Sequence, residues 1–114
     1  MIDWSAYRHF LGQAVPAFAT LSPGTVEGLT TLDNAAKATN RLDAKTRELI
    51  ALAVAVTTRC DGCIAVHSKA AVKAGATKEE IAEALGVAVA LNAGAAAVYS
   101  TRALDAAEKA GSGA

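Results

Sequence analysis

Apolar residues recur along this chain at intervals of three and four, the period of helices that each turn one face to a core. Trp4, Tyr7 and Leu11 keep that spacing behind Asp3, which can cap the segment, and predict a first helix to about Ala14 that Pro16 ends or bends. Ser22-Pro23 pairs a capping hydroxyl with proline at the first helical position. Val26, Leu29 and Leu32 to Ala36 then carry a second helix to about Thr39. After the connection Asn40-Arg41-Leu42, Asp43 can cap a third helix. Its residues Leu49 to Val56 are all apolar, the pattern of an element buried on every side, although the β-branched Val54 and Val56 also suit a strand.

Thr57-Thr58-Arg59 breaks the apolar run, and a fourth helix follows from Cys60-Asp61-Gly62-Cys63 to Gly75, a natural stop. Thr77-Lys78-Glu79-Glu80 is a capping box that launches Ile81, Leu85, Val87 and Val89, with Lys78, Glu79, Glu80 and Glu83 on a solvated face. Asn92-Ala93-Gly94 predicts a break before a last helix through Val98, Tyr99 and Leu104 to Lys109. The sum is about six helices: an N-terminal arm over 1–21, a main domain over 22–109 and a frayed tail over 110–114. The segments 49–56 and 84–98 are apolar nearly all round, and so short a chain has few helices to cover them. Sister subunits are expected to do so. Gly86, Ala90, Gly94 and Ala97 permit close helix approach, between subunits or within one chain.

Composition turns this pattern into a fold class. The 114 residues suit one domain, 29 of them are Ala, and only 4% are aromatic, so the expected fold is all-α. A formal net charge of zero excludes a surface that holds nucleic acid by bulk positive charge. Met1-Ile2-Asp3-Trp4 has no basic stretch followed by an apolar core, so no secretory signal is expected and the cytoplasm is the expected compartment. Ala84 to Ser100, interrupted by Gly86, Asn92 and Gly94, falls short of the roughly 20 apolar residues of a membrane span, and a buried helix is expected instead. Two cysteines do not make a disulfide scaffold. Their value lies in reactivity, metal binding or packing.

Cys60 and Cys63, three residues apart at a helix start, share a face and lie within reach of a disulfide. The free amides and dipole at that end favour a thiolate, the form that attacks peroxides and disulfides. His67 follows Cys63 by four residues on the same stripe. Glu48 is the one charge abutting the apolar run, and if the chain reverses near Thr58 the two helices bring Glu48 level with His67 at 1.5 Å per residue. A carboxylate beside an imidazole orients the ring and raises its basicity, giving a proton route from Glu48 through His67 to Cys63. Cys63 is then the relay-activated thiol and Cys60 the more exposed partner that meets a reductant, although the helix-end field favours Cys60 as the more acidic of the two. The same Cys60, Cys63 and His67 cluster also suits a non-catalytic module that senses redox state or holds a metal, though a structural zinc site needs a fourth ligand. His9 is expected to be solvated or capping. Trp4, Tyr7, Phe10 and Phe18 are expected as core or interface anchors, with an aromatic wall beside the thiols as the other option, and Tyr99 and Asn92 as residues of a buried interface.

Glu48, eleven residues, Cys60-Asp61-Gly62-Cys63, three residues and His67 together resemble the AhpD-like alkylhydroperoxidases of the carboxymuconolactone decarboxylase family. The wider text E-L-I-A-L-A-V, C-x-G-C-I-x-x-H and A-x-x-A-G-A-T-x-E-E-I-x-E-A-L carries the resemblance over about residues 22 to 105. It implies an AhpD-like helical bundle and a homo-oligomer, commonly a trimer or hexamer. It also implies a thiol-dependent peroxidase or disulfide-exchange activity with Glu48, Cys60, Cys63 and His67 as catalytic residues. The partners implied are a hydroperoxide substrate and a dithiol reductant, with no cofactor. AhpD itself has a His just before the second Cys, where this chain has Gly62. The decarboxylase branch does not use a Cys pair as its working group, which disfavours lactone decarboxylation.

Overall fold

The computed structural model describes residues 1–113 as five α-helices: α1 (Trp4–Leu21), α2 (Pro23–Thr39), α3 (Ala44–Thr58), α4 (Asp61–Lys73) and α5 (Lys78–Gly111). No strand occurs among the described residues, and the valine-rich run of α3 is helical throughout. Four of the five helices start on a side-chain cap. Asp3, Asp43 and Thr77 accept from the amides of Ala6, Thr46 and Glu80, and the sulfur of Cys60 accepts from the amide of Cys63. Thr77 and Glu80 close the reciprocal capping box, at 3.1 and 2.9 Å. Ser22 bonds the Thr25 hydroxyl instead of an amide, so α2 starts on Pro23 without a side-chain cap.

Two expected helix ends are absent, and five helices replace about six. α1 continues through Pro16 to Leu21. The ring removes the donor for the Gly12 carbonyl, but Gly12 is exposed and water can serve that oxygen. α5 runs unbroken through Asn92-Ala93-Gly94. The Asn92 side chain donates to the Ala88 carbonyl at 2.7 Å, and the alanines around Gly94 offset its helix penalty of about 1 kcal/mol. By length and composition this 34-residue helix is long and apolar enough to cross a membrane, which the interrupted sequence was not expected to be.

α3 is the hub and packs against both α4 and α5, while α1 lies across α4 and carries α2, whose backbone among the described residues packs closely on no other helix. Burial on every side of Leu49 to Val56 is not observed. Only Leu52 and Ala55 are buried there, and Ile50 and Val54 are about half exposed. Along α5 only Ala88 is buried, and Val87, Val89, Leu91, Val98 and Leu104 all face outward. α2 stands out on α1 and leaves the length of α3 uncovered. The radius of gyration is 19.0 Å, against about 13 Å for a compact domain of this length.

α5 is fastened at its head by Lys45 of α3, whose Nζ lies 2.7 Å from Oε2 of Glu80. The Lys45 ammonium, then the Thr77 amide, hold the Glu80 carboxyl below its ordinary 4.5, and Glu80 in turn raises Lys45 above 10.5. A lowered carboxylate contributes stability in full above 4.5 and loses it as pH falls through its folded value. Glu80→Gln keeps a capping-box side chain and removes the charge. The thermal midpoint of the parent is expected to exceed that of E80Q near neutrality, and the gap to close as the pH drops below 4.5. A gap that stays constant down the acid series would remove the ion pair from the account.

Candidate active site

The site is built where the chain reverses between α3 and α4. Arg59 takes the left-handed conformation, φ 54°, which places its own amide and that of Cys60 on the Ala55 carbonyl. Cys60 thereby becomes the N-cap of α4. Its Sγ lies 3.1 Å from the Cys63 amide, and the two sulfurs are joined as a disulfide across a Cα separation of 5.2 Å. Asp61 occupies the first turn of α4.

The antiparallel run of α3 and α4 brings Glu48 level with His67. Oε2 of Glu48 lies 2.7 Å from Nδ1 of His67, with the carboxylate side chain 18% and the imidazole 31% exposed. Nδ1–H donates to the carboxylate, which leaves Nε2 free to take or give a proton. His67 stands one turn, about 6 Å, along α4 from Cys63. All four predicted residues therefore sit on one pair of helices, as two couples stacked along α4. Among the described residues, with Cys60 and Cys63 joined as a disulfide, no group of three or more His, Cys, Asp or Glu side chains is gathered in one place.

α1 roofs the cysteine turn. Nη1 of Arg8 donates to the Ala65 carbonyl at 2.9 Å, and a Cβ on Gly62 would lie 3.4 Å from Leu11 Cδ1 and 4.0 Å from the Tyr7 hydroxyl. The helical period named Tyr7 and Leu11 as inward-facing, but nothing local marks their target as Gly62. Tyr7 sits between Trp4, edge-on at 6.4 Å, and Phe10, stacked at 6.3 Å, so the aromatic group lies over α4 while Phe10 and Phe18 stay about half exposed. His9 is exposed. Tyr99 is exposed under the Arg102 guanidinium, and Asn92 is turned back on its own helix.

Below the Glu48–His67 pair a cleft of about 420 Å³ opens between the end of α2 and the start of α3. Its walls include Ala36, Leu42, Ile50 and Ala51, and Lys37, Arg41 and Arg47 also line it. The cysteines are not part of its lining.

With this geometry in place, residues 23–106 match the Carboxymuconolactone decarboxylase family. The chain belongs to that family. A solved structure of a carboxymuconolactone decarboxylase family protein from Legionella pneumophila superposes with a TM-score of 0.71 at 39% identity, over 93% of this chain and 95% of the other. An uncharacterized protein of Haemophilus influenzae is 51% identical over 104 residues, 91% of this chain and 92% of its own length. One from Cupriavidus necator is 36% identical over 94 residues, 82% of this chain and 77% of the relative. The family covers α2 to most of α5, so the roof formed by α1 lies outside the matched segment.

Two substitutions test the site. Glu48→Gln preserves shape and removes the carboxylate charge. In the Cys60→Ser background, alkylation of Cys63 is expected to slow about tenfold with the fold intact by circular dichroism, and an unchanged rate separates the acid from the thiol. Gly62→Ala meets Leu11 at ordinary contact distance and is expected to be neutral or stabilising. Gly62→Leu must displace α1 and is expected to cost about 1–3 kcal/mol in urea unfolding. Equal stability of the two would mean that α1 does not rest on the cysteine turn.

Proposed function

We propose that this family member is a thiol-dependent peroxidase and disulfide oxidoreductase that reduces hydroperoxides through Cys60 and Cys63, assisted by Glu48 and His67. The reading rests on one observation: a sulfur pair joined as a disulfide heads a helix whose next turn carries an imidazole bound to a largely buried carboxylate. In the reduced protein, one thiolate attacks the hydroperoxide. An S–O bond forms, the O–O bond breaks, and the alcohol leaves after taking a proton. The second thiol attacks the resulting sulfenic acid, forming the S–S bond and releasing water. A cellular dithiol then reduces the disulfide and is itself oxidised, completing the cycle.

In this mechanism Cys63 attacks first, because His67 stands one turn away on its stripe and can remove the thiol proton through Nε2. Glu48 holds the ring and stabilises the imidazolium. Cys60 resolves the sulfenic acid and meets the reductant. The protein would work in the cytoplasm, where a dithiol pool can regenerate it. It would do so as a homo-oligomer, a trimer or hexamer, in which neighbouring copies cover Leu29 and Leu32 of α2, Val54 of α3 and the outward face of α5. The excess radius of gyration and those exposed side chains support assembly.

Stopped-flow consumption of an alkyl hydroperoxide with a dithiol reductant tests the activity. The parent is expected to turn over many equivalents. Cys63→Ser is expected to lose peroxide consumption outright, and Cys60→Ser to be oxidised once without closing the disulfide. A parent that oxidises once and never cycles is a redox sensor, and the peroxidase reading falls.

A further inference from the structure

We infer that the cleft between the end of α2 and the start of α3 is a substrate subsite that reads a carboxylate, and that the substrate is an acyl-chain hydroperoxide of an organic acid. The cleft's volume of about 420 Å³ falls within the roughly 300–1,000 Å³ that small-molecule sites occupy. Ala36, Leu42, Ile50 and Ala51 give it apolar walls suited to a hydrocarbon chain. Its two carboxylates are already engaged: Asp33 by Lys37 at 3.0 Å and Glu48 by His67 at 2.7 Å. Arg41 and Arg47 remain, and among the described residues neither has a carboxylate within 4.0 Å.

Arg47 is fixed as well as uncompensated. Its Nη1 donates to the Leu42 carbonyl and, at 3.4 Å, to Oδ1 of Asn40, whose left-handed backbone, φ 47°, ends α2. Both acceptors are neutral and both are reached from the same nitrogen. Among the described residues no acceptor is bonded to its Nε or Nη2. A guanidinium held in place with an open fork is preorganised for a carboxylate, and a second arginine on the same cleft adds to the field.

Glu48 and His67 line the same cleft as the arginines, and Cys63 stands about 6 Å from His67 along α4. An acid whose peroxide is several carbons from its head would reach from the arginines past the imidazole to the sulfur. Only the nature of that far end rests on the peroxidase reading. The cationic head site does not.

Octanoate and octan-1-ol, equal in chain length and different in charge, test the head site directly. In a His9→Gln background the remaining imidazole Cε1–H resonance belongs to His67. Octanoate is expected to shift it saturably and octanol to bind about tenfold more weakly, as is octanoate to Arg41→Gln. Equal binding of acid and alcohol, or indifference to Arg41→Gln, overturns the assignment. So does a resonance that moves with protein concentration and ignores octanoate, which would give the cleft to a second copy of the chain. For substrate class, kcat/KM for a long-chain hydroperoxy acid is compared with that for its methyl ester. A preference of about tenfold for the acid is expected, and parity overturns the substrate claim. Should octanoate bind while no hydroperoxide is turned over, the peroxidase proposal fails and the carboxylate site stands.

Discussion

The reversal of the chain at Arg59 and Cys60 is the constraint on which every functional group here depends. A left-handed residue directly after α3 lets α4 begin two positions later, with no loop to absorb an error in register. That brevity makes Cys60 the cap of α4 and so points its sulfur at the amide of Cys63. It also sets the antiparallel register of α3 and α4, which alone brings Glu48 to His67 across nineteen positions of sequence. A largely buried carboxylate is costly without a partner, and the imidazole is that partner. Sulfur chemistry and proton chemistry are thus fixed by the same turn.

The rest of the molecule arranges itself around this pair of helices unevenly. α5 covers one side of α3, pinned at its head by Lys45 and Glu80, and α1 covers the cysteine end of α4. Gly62 matters in the second contact, because its missing side chain leaves the room that Leu11 fills. The resemblance to AhpD lapses at this residue, and here Leu11 of α1 lies beside it. α2 is left standing on α1, its apolar residues turned outward. A single chain of this shape buries few side chains and relies for local order on its caps and on an alanine-rich backbone.

The cleft under Glu48 and His67 follows from the same openness. Because α2 leaves α3 after the Asn40 turn without packing along it, the connection holds Arg47 in place but does not fill the space beside it. Apolar walls and uncompensated guanidinium groups are then exposed next to an imidazole–carboxylate pair. In a closed bundle the same residues would have been forced to find partners.

Local chemistry was legible because it is decided over a few residues. A cap needs an acceptor and an amide three positions on, so Asp3, Asp43 and Thr77 announced their helices, and the spacing of Glu48, Cys60, Cys63 and His67 could be converted to a register by the rise of a helix. Pro16 and Asn92-Ala93-Gly94 misled for the opposite reason: each is a breaker by local rule, and each is tolerated where water, a side chain or flanking alanines restore what the backbone loses. Burial was the larger miss. An all-apolar stretch states that Leu49 to Val56 must be covered, but not by which helix, nor whether the cover comes from the same chain. Likewise no period in the sequence puts Leu11 over Gly62 or sets Arg41 and Arg47 on one cleft. Those neighbours are far apart along the backbone, and contacts of that kind are selected by how whole helices settle against one another.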